Sequence, residues 1–238
     1  MSEGLAPTRV GRLGAEDAAR LDHDGYLLLR GTVPADWVEA LRAAFDAGEL
    51  ANDKWPVPRG LDWRHALVDL DPTVQRVCHL PQVLAAVAQV LQGPFFFAQV
   101  EGREPRAGGG AQGLHRDGED AEPPRVVSML VFLDPFGPAN GATELAPGTH
   151  SGEGLLAQAR RPHPLARVLD GAAGDILLFD ANLLHGATTN VSGARRRSLL
   201  ATYAAKALRE DYERTRTLRS VRMDTDALFE AGGDDAGR

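Results

Sequence analysis

Two stretches of this 238-residue sequence decide its fold. The first is His115-Arg116-Asp117. The second is Asp175-Ile-Leu-Leu-Phe-Asp-Ala-Asn-Leu-Leu-His185, which ends seventy positions after His115. The first stretch lies between Gly113 and Gly118, and the second is an apolar run that leads into a histidine. In a β-strand, residues i and i+2 point to the same side, so His115 and Asp117 share a direction that Arg116 does not. A helix would instead group ligands at i+3 or i+4. The pattern therefore predicts two strands whose ends meet.

Three side chains from these stretches form a candidate metal site. The imidazoles of His115 and His185 and the carboxylate of Asp117 match the facial triad of non-haem Fe(II) oxygenases, which leaves positions for a co-substrate and O₂. Cys78 is the sole cysteine of the chain, which argues against a structural zinc site with several thiolate ligands. The sequence thus predicts His115, Asp117 and His185 as metal ligands and catalytic residues.

A run of arginines, Arg195–Arg197, begins the next apolar segment after His185. A guanidinium can meet a carboxylate through two parallel hydrogen bonds, which a lysine cannot do. Alternation along a strand turns Arg196 away from the direction of its two neighbours. If Arg196 points inward, it is a candidate to hold the far carboxylate of a 2-oxo acid on the metal, with Arg195 and Arg197 facing solvent or surface acids. Thr188 is a candidate to add a hydroxyl to the same carboxylate.

Composition excludes several classes of protein. The formal net charge is -7, from 33 acidic and 26 basic residues, which argues against a general nucleic-acid surface. A single cysteine permits no internal disulfide, so nothing points to an oxidising compartment. The first residues lack the basic and apolar regions of a signal peptide, and no window approaches the ~18 apolar residues of a membrane span. These features predict a cytoplasmic protein without membrane or nucleic-acid partners.

The pattern of apolar residues predicts helices first and strands afterwards. Amphipathic or Pro-started segments predict helices at 15–24, 34–48, 72–77 and 81–91, after a frayed lead-in at 1–14. Short apolar runs separated by Gly, Pro and Asn turns follow from 95 to 205 and predict a sandwich or barrel. We predict one domain, 1–238, that is mainly β with flanking helices. It comprises a helical part at 15–92, a double-stranded β-helix (jelly-roll, cupin-like) core at 95–205, and a C-terminal part at 206–238. In this last part we expect a helix over 206–222 and a disordered tail from Glu230 to Arg238.

Several motifs over residues 16–205 resemble the phytanoyl-CoA dioxygenase family of Fe(II)/2-oxoglutarate oxygenases. They are Gly25–Gly31 before a helix, the H-x-D segment Gly113–Asp117, the stretch Asn140–His150 that contains Pro-Gly-Thr-His, and a closing block of Gly174–Asp180, His185-Gly186, Asn190 and Arg196-Arg197. The resemblance implies a double-stranded β-helix, iron held by His115, Asp117 and His185, and 2-oxoglutarate held by Arg196. It assigns no metal to His150, for which we expect a structural role in its turn.

The resemblance implies an Fe(II)- and 2-oxoglutarate-dependent dioxygenase that uses O₂ to hydroxylate an unactivated C–H bond of a small molecule, with succinate and CO₂ as co-products. Desaturation, cyclisation or epimerisation with the same cofactors stays open as an outcome. A non-catalytic, cupin-like metal-binding or sensor protein is an alternative of another class. Hydrolysis by a metal-activated water is less favoured, because it leaves Arg196 unexplained.

The identity of the substrate is not predicted by the sequence, and neither is the oligomeric state. Loops at 49–65 and 101–113 carry candidate substrate contacts, namely Trp55, Trp63 and Arg103, although both tryptophans could instead fill the core. Arg116 departs from the glutamine that many family members carry between the H-x-D ligands. Arg116 either reaches toward an anionic substrate or pairs with a surface acid such as Glu119. No glycine turn ahead of a helix suggests a phosphate site for CoA.

Overall fold

The computed structural model describes residues 6–118 and 123–232. Within these ranges the helices are α1 (Ala15–Asp24), α2 (Ala35–Gly48), α3 (Pro72–Cys78), α4 (Pro81–Leu91) and α5 (Arg209–Thr215). The strands are β1 (Thr8–Val10), β2 (Tyr26–Leu29), β3 (Glu49–Leu50), β4 (Trp63–Ala66), β5 (Phe95–Pro105), β6 (Gln112–His115), β7 (Val126–Phe132), β8 (Thr143–Leu145), β9 (Arg167–Val168), β10 (Ile176–Asp180), β11 (His185–Ala187), β12 (Ser198–Ala205) and β13 (Leu228–Ala231).

The described strands form two sheets. The larger has the order β1-β13-β5-β12-β7-β10-β2, with β4 beside β5 and β3 beside β4. The smaller has the order β6-β11-β8-β9 and carries both predicted metal-ligand histidines. Strands β1 and β13 run parallel, whereas β6, β8, β9 and β11 pair antiparallel.

Alternating side chains of the larger sheet face two different cores. Met129 and Val131 of β7 belong to a cluster that also includes buried residues of α2, α3 and α4. Leu130 and Phe132 of the same strand belong to a second cluster with Leu145 of the smaller sheet. The helices therefore cover one face of the large sheet, and the small sheet covers the other. This two-sheet arrangement confirms the prediction of a mainly β, jelly-roll core with flanking helices.

The helices begin and end close to the predicted residues. At α3 the carboxylate of Asp71 accepts hydrogen bonds from the backbone N–H groups of Thr73 and Val74, and Pro72 occupies the first turn. At α1, Gly25 ends the helix with a φ of 77°, a left-handed conformation that favours glycine. No helix in the two described ranges combines the length and apolarity needed to cross a bilayer.

The predictions for both ends of the chain were wrong where the structure describes them. The expected lead-in contains β1, and the expected disordered tail begins inside β13, which pairs with β1 on one side and β5 on the other. Phe229 of β13 is buried, and its ring centroid lies 5.6 Å from that of Phe95. Both strands are short and depend on partners far away in sequence, so local periodicity does not reveal them. The remaining terminal residues, 1–5 and 233–238, lie outside the described ranges.

Two internal predictions also need correction. Residues 49–65 were expected to be irregular, but they contain β3 and the first part of β4, which continues the large sheet beyond β5. The final helix was expected over 206–222, whereas α5 spans only Arg209–Thr215 after a 3-10 turn at Lys206–Leu208. The cross-strand pairing of Trp63 with Pro105 explains why this segment is extended despite its prolines and glycines.

Candidate metal centre and adjoining cavity

The two histidines face each other across neighbouring antiparallel strands. His115 of β6 and His185 of β11 are direct partners in the register, and their ring centroids lie 4.3 Å apart. Each ring is fixed by its own backbone, because His115 Nδ1 lies 2.8 Å from the carbonyl oxygen of Gly113 and His185 Nδ1 lies 3.0 Å from that of Leu183. A carbonyl only accepts, so Nδ1 carries the proton and Nε2 is left with its lone pair free for a metal.

Asp117 completes the cluster from the turn after β6. The strand ends at His115, so Asp117 does not lie within it as the alternation argument assumed. Its backbone N–H donates instead to the carbonyl of Ala181, 2.9 Å away, in the loop that leads to His185. The carboxylate oxygens lie 3.5 Å from His115 Nε2 and 3.4 Å from His185 Nε2. The three donor atoms lie within 4.8 Å of one another, as one bound ion would require.

Two glycines allow this close approach. A Cβ at Gly118 would collide with the side-chain oxygen of Asn182, and a Cβ at Gly186 would lie 2.7 Å from the carbonyl oxygen of Gln112. Gly113, in contrast, has open space around it, so its role in the turn is not enforced by packing. Glycine is therefore needed directly after Asp117 and directly after His185, where the two backbones converge.

Asp117 is ionised in this arrangement. Burial opposes the charge, but the neighbouring imidazole of His185, with a smaller contribution from that of His115, lowers the pKa of Asp117 below its usual value. The carboxylate keeps 49% of its side-chain surface exposed, while the His185 side chain keeps 9%. The cluster is therefore open on the side of Asp117, toward the cavity.

A cavity of about 440 Å³ lies between the two sheets, with the three candidate ligands in its wall. Its floor on the large sheet consists of three cross-strand rows. The first row pairs Arg103 with Ser198, the second pairs Leu200 with Leu130, and the third joins Gln99, Thr202 and Ser128. Along the strands, the side chains that line the cavity thus change from a basic pair, through an apolar pair, to a row of neutral polar groups.

Arg196 supplies a buried positive charge to this cavity. Its side chain is 2% exposed, and its guanidinium carbon lies 5.5 Å from the centre of the Trp63 ring and 4.4 Å from that of Phe136. Its Nε is buried without a hydrogen-bond partner, and no acidic side chain in the described ranges forms an ion pair with it. Burial accordingly lowers the pKa of Arg196 to about 9. An unpaired buried guanidinium is unfavourable unless an anion joins it.

The two flanking arginines are fully paired. Arg195 donates two hydrogen bonds of 2.8 Å to Glu104, and Arg197 holds Asp134 at 2.9 and 3.0 Å. Glu104 and Asp134 are buried acids, and both arginines also pair with the exposed carboxylate of Asp46, at 3.0 Å from Arg195 and 2.8 Å from Arg197. The expected contact with a surface acid is therefore present, and Arg195 itself stays exposed while Arg197 is buried. The expected alternation of direction is present, but it starts before the strand, since β12 begins only at Ser198.

One candidate contact, Thr188, lies elsewhere than predicted. The hydroxyl of Thr188 donates to the carbonyl oxygen of Pro138 at 3.2 Å, and Thr188 does not line the cavity. Thr143 of β8 lines the cavity instead.

The guanidinium of Arg116 is held by backbone carbonyls below the metal cluster. It donates to Asn182 at 2.7 Å, Thr149 at 3.1 Å and Gly154 at 3.2 Å. Arg116 does not line the cavity, so the predicted contact with an anionic substrate there is not seen. Its structural role is to tie the H-x-D turn to two loops, one of which leads to His185. The alternative partner Glu119 lies outside the described residues.

The tryptophans and Arg103 have separate roles. Trp55 is 3% exposed, packs edge-on against His65 at 5.8 Å and is absent from the cavity lining, so it fills the core. Trp63 and Arg103 do line the cavity, and Arg103 is held by a 2.6 Å hydrogen bond to Glu101. Burial opposes ionisation of Glu101, but the charges of Arg103 and Arg59 and the contact with His65 lower its pKa to about 2. Arg103 therefore stays ion-paired at the cavity wall.

His150, expected to be structural, is indeed outside the cavity. It is buried under Gly25, where any Cβ would overlap the imidazole ring, and it belongs to no metal-type cluster in the described residues.

Sequence reasoning missed the polar row of Gln99, Thr202 and Ser128, together with Tyr212, which also lines the cavity. A signal was present, because each member of the row is a polar residue with an apolar residue on either side of it in its strand. Their proximity depends on the register of β5, β12 and β7, which local pattern does not give.

The donor set fits the group that the sequence suggested. Two neutral imidazole nitrogens and one carboxylate on one side of an open space suit Fe(II) in a facial arrangement. A buried guanidinium without a partner suits the free carboxylate of a dicarboxylic co-substrate. The residues present therefore fit both a divalent metal and a 2-oxo acid.

Comparison with known protein sequences gives relatives that carry dioxygenase names. Dioxygenase aneA of Aspergillus aculeatus is 35% identical over 95 residues, which cover 36% of this chain and 32% of that protein. The first curated relatives are thus matched over only about a third of their length. The ectoine dioxygenase of Nocardia farcinica is 25% identical over 84% of this chain and 81% of its own.

Solved structures share the fold. The crystal structure of EctD from S. alaskensis with 2-oxoglutarate and 5-hydroxyectoine has a TM-score of 0.66 and 23% identity, covering 86% of this chain and 82% of that one. The epimerase SnoN from nogalamycin biosynthesis, described as non-heme and alpha-ketoglutarate dependent, has a TM-score of 0.63 and 19% identity, covering 80% and 82%. The family model for phytanoyl-CoA dioxygenase (PhyH) matches residues 21–198, which is more than half of the sequence. This chain belongs to the phytanoyl-CoA dioxygenase (PhyH) family.

Proposed function

We propose that this protein is an Fe(II)- and 2-oxoglutarate-dependent dioxygenase that hydroxylates an unactivated C–H bond of a small molecule and forms succinate and CO₂. Family membership, dioxygenase-named relatives and a shared fold with 2-oxoglutarate enzymes support this activity. His115, Asp117 and His185 hold the metal and are the catalytic residues, and Arg196 holds the co-substrate. O₂ is the second co-substrate.

The single observation on which the proposal depends is the difference between Arg196, which has no ion-pair partner, and the two paired arginines beside it. The chain keeps one guanidinium buried and unpaired at a cavity that also contains a His-Asp-His cluster, while it neutralises the arginines on either side. A protein with only a metal-binding role has no use for that unfavourable charge. A dianionic co-substrate explains it, because one carboxylate can bind the metal while the other pairs with Arg196.

The bound iron and 2-oxoglutarate supply the oxidising chemistry, and the protein's residues provide binding, orientation and protection from water. The carbonyls of Gly113 and Leu183 hold the two imidazoles in the tautomer that a metal needs. Leu130 and Leu200 offer an apolar surface to the methylene groups of a 2-oxo acid. Trp63 and Phe136 cover Arg196 and keep water from its ion pair.

The outcome at the substrate carbon has one alternative with specific support. Epimerisation is the activity named for one structural neighbour, and hydroxylation is consistent with the 5-hydroxyectoine bound to another. Desaturation and cyclisation require the same cofactor-binding residues. Product mass distinguishes hydroxylation, which adds one oxygen atom, from desaturation or cyclisation, which each remove two hydrogens. Epimerisation leaves the mass unchanged, so it is detected as a new stereoisomer by chiral chromatography.

Anaerobic reconstitution tests the proposed cofactors. We expect Fe(II)-loaded protein to develop a weak visible absorption band on addition of 2-oxoglutarate, and to form succinate once air is admitted. His185→Ala should show neither response, because it removes a metal ligand. If the native protein binds Fe(II) and 2-oxoglutarate but forms no succinate with or without added small molecules, the non-catalytic sensor alternative is correct.

We further propose that residues 1–238 act as one oxygenase domain in the cytoplasm, on a small-molecule substrate and without a nucleic-acid partner. The net charge of -7 and the single cysteine support these assignments. A single cooperative unfolding transition is the expected behaviour of one domain.

A further inference from the structure

Gln99 has a fixed orientation at the cavity wall. Its side-chain oxygen accepts a hydrogen bond of 2.6 Å from Arg219, and its Nε2 donates to the hydroxyl of Thr202 at 3.3 Å. A guanidinium has donors only, so the amide cannot turn over without losing the contact with Arg219. The second N–H of this amide therefore remains for a group inside the cavity, which Gln99 lines.

The neighbouring hydroxyls form a row with this amide. Gln99 of β5, Thr202 of β12 and Ser128 of β7 are direct cross-strand partners, and all three line the cavity. Thr202 uses a lone pair to accept from Gln99, which leaves its own proton for another acceptor. The row lies two residues along each strand from Leu130 and Leu200, and four from the Ser198–Arg103 pair. This end of the cavity is thus separate from the basic end.

The group that orients Gln99 comes from the C-terminal segment of the chain. Arg219 lies over the Tyr212 ring at 4.6 Å and donates to the hydroxyl of Thr215 at 3.1 Å, so it joins α5 to the large sheet. Tyr212 itself lines the cavity beside the row. Both residues lie beyond the part of the chain that matches the family model, residues 21–198. The contact between Arg219 and Gln99 therefore depends on a segment outside the matched family core.

We propose that Gln99, oriented by Arg219, is the substrate-recognition group, and that the substrate is a small molecule presenting a hydrogen-bond-accepting oxygen to it. This inference rests on the proposed function. A carbonyl, ether or carboxylate oxygen meets the outward N–H, whereas a group that only donates, such as an ammonium, meets another donor. Arg219 is a positioning residue, because it acts through Gln99.

The test uses the full chain loaded with Ni(II) and 2-oxoglutarate, which holds the site without turnover. The probes are six-membered-ring ketones and lactones as acceptor-only molecules, and ring ammonium compounds of the same size as donor-only molecules. Dissociation constants come from ligand-observed NMR titrations. We expect the native protein to bind the acceptor probes more tightly than the ammonium probes.

Gln99→Glu is the decisive variant. It has nearly the same shape and keeps the contact with Arg219, but it replaces the outward N–H by an oxygen. We expect affinity for the acceptor probes to fall by about tenfold and the order of preference to reverse.

Two substitutions at Arg219 test the positioning role. Arg219→Lys retains a donor to the amide oxygen and should keep the native preference, whereas Arg219→Met frees the amide to turn over and should weaken it. Arg209→Ala is the matched control, since Arg209 anchors the same segment through the carbonyl of Thr225, 3.0 Å away, and does not contact Gln99.

The inference is overturned if the native protein does not prefer acceptor probes, if Gln99→Glu leaves the preference unchanged, or if Arg209→Ala reduces it as much as Arg219→Met. A failure of the proposed function looks different, because the native protein would then either not take up Ni(II) and 2-oxoglutarate or, when loaded with Fe(II) and 2-oxoglutarate in air, form no succinate.

Discussion

Three consecutive arginines, Arg195–Arg197, occupy different electrostatic environments. The difference indicates which of them stabilise the fold and which is available to bind a ligand. The outer two are bound to buried acids, and their ion pairs join the start of β12 to β5 and to the loop after β7. The middle one lies against two aromatic rings and forms no ion pair with an acid of the described residues. Removing an outer arginine leaves a buried carboxylate without its partner, whereas removing Arg196 relieves the protein of an unpaired charge.

Arg196→Met should therefore change ligand affinity and stability in opposite directions. We expect the affinity of the Ni(II)-loaded protein for 2-oxoglutarate to fall about a hundredfold, since truncating one partner of a buried charge pair usually costs about 2–5 kcal/mol. Without ligands, the free energy of unfolding should rise, because no buried cation has to be desolvated. Isothermal titration calorimetry and urea denaturation measure the two quantities.

Arg195→Met is the control for that substitution. It removes the partner of Glu104, which is buried, so the protein should become less stable while its affinity for 2-oxoglutarate changes little. Native-like binding of 2-oxoglutarate by Arg196→Met would contradict the assigned role of Arg196.

Asp180 gives a pH-dependent prediction at the end of β10. Burial raises the pKa of Asp180 to about 6, and a hydrogen bond from the backbone N–H of Asn182 opposes this only in part. Between the ordinary value of 3.8 and about 6, the folded state binds more protons than the unfolded state, so stability falls as the pH rises through this window. The penalty is absent at pH 3.5 and complete at pH 8.

Asp180→Asn should remove this penalty while retaining an oxygen that accepts from Asn182. We expect a stability equal to that of the native protein near pH 3.5 and greater by about 3 kcal/mol at pH 8. Urea unfolding at the two pH values checks the prediction, and an equal effect at both would contradict the pKa argument.

Helices and central strands were predictable from sequence because their information is local. The stripe of α2 and the apolar run of β7 each specify an element within a few turns or residues. β13 was not predictable, because its four residues become a strand only by pairing with β5 and β1, which lie at least 123 positions away. For the same reason, the metal cluster could be predicted from the H-x-D segment and a later histidine. The Gln99–Arg219 contact could not be predicted, because it requires the packing of α5.

The C-terminal strand should contribute measurably to stability despite its position near the end of the chain. Phe229 of β13 packs at 5.6 Å from both Phe95 and His79 and is buried. Phe229→Ala removes these contacts and leaves a cavity, so we expect the free energy of unfolding to fall by about 3 kcal/mol. Chemical denaturation measures the loss. An exposed matched position is Leu218, and Leu218→Ala should have little effect.

Because of the arrangement of the two sheets, the two ends of the cavity differ in the charge and polarity of the residues that line them. The basic end lies beside Arg196 and Arg103, the polar end lies beside Gln99 and Tyr212, and the candidate metal ligands face both from the smaller sheet. A dianionic co-substrate at the basic end and a substrate at the polar end would thus reach the same metal from different sides. The fold separates the two binding sites without needing a second domain.

Because the proposed metal and co-substrate sites share one cavity, the increase in Tm caused by 2-oxoglutarate should depend on the presence of the metal. A ligand present at a hundred times its Kd adds about 2.7 kcal/mol to the native state, and each 1 kcal/mol raises Tm by about 2–4 °C in a chain of this size. We expect Ni(II) to raise Tm, and 2-oxoglutarate to raise it further only when metal is present, since Arg196 alone grips a single carboxylate. His185→Ala should lose both increments and Arg196→Met only the second. An equal response to 2-oxoglutarate in the metal-free protein would mean that the co-substrate binds away from His115, Asp117 and His185, and the shared cavity would then have to be abandoned as the active site.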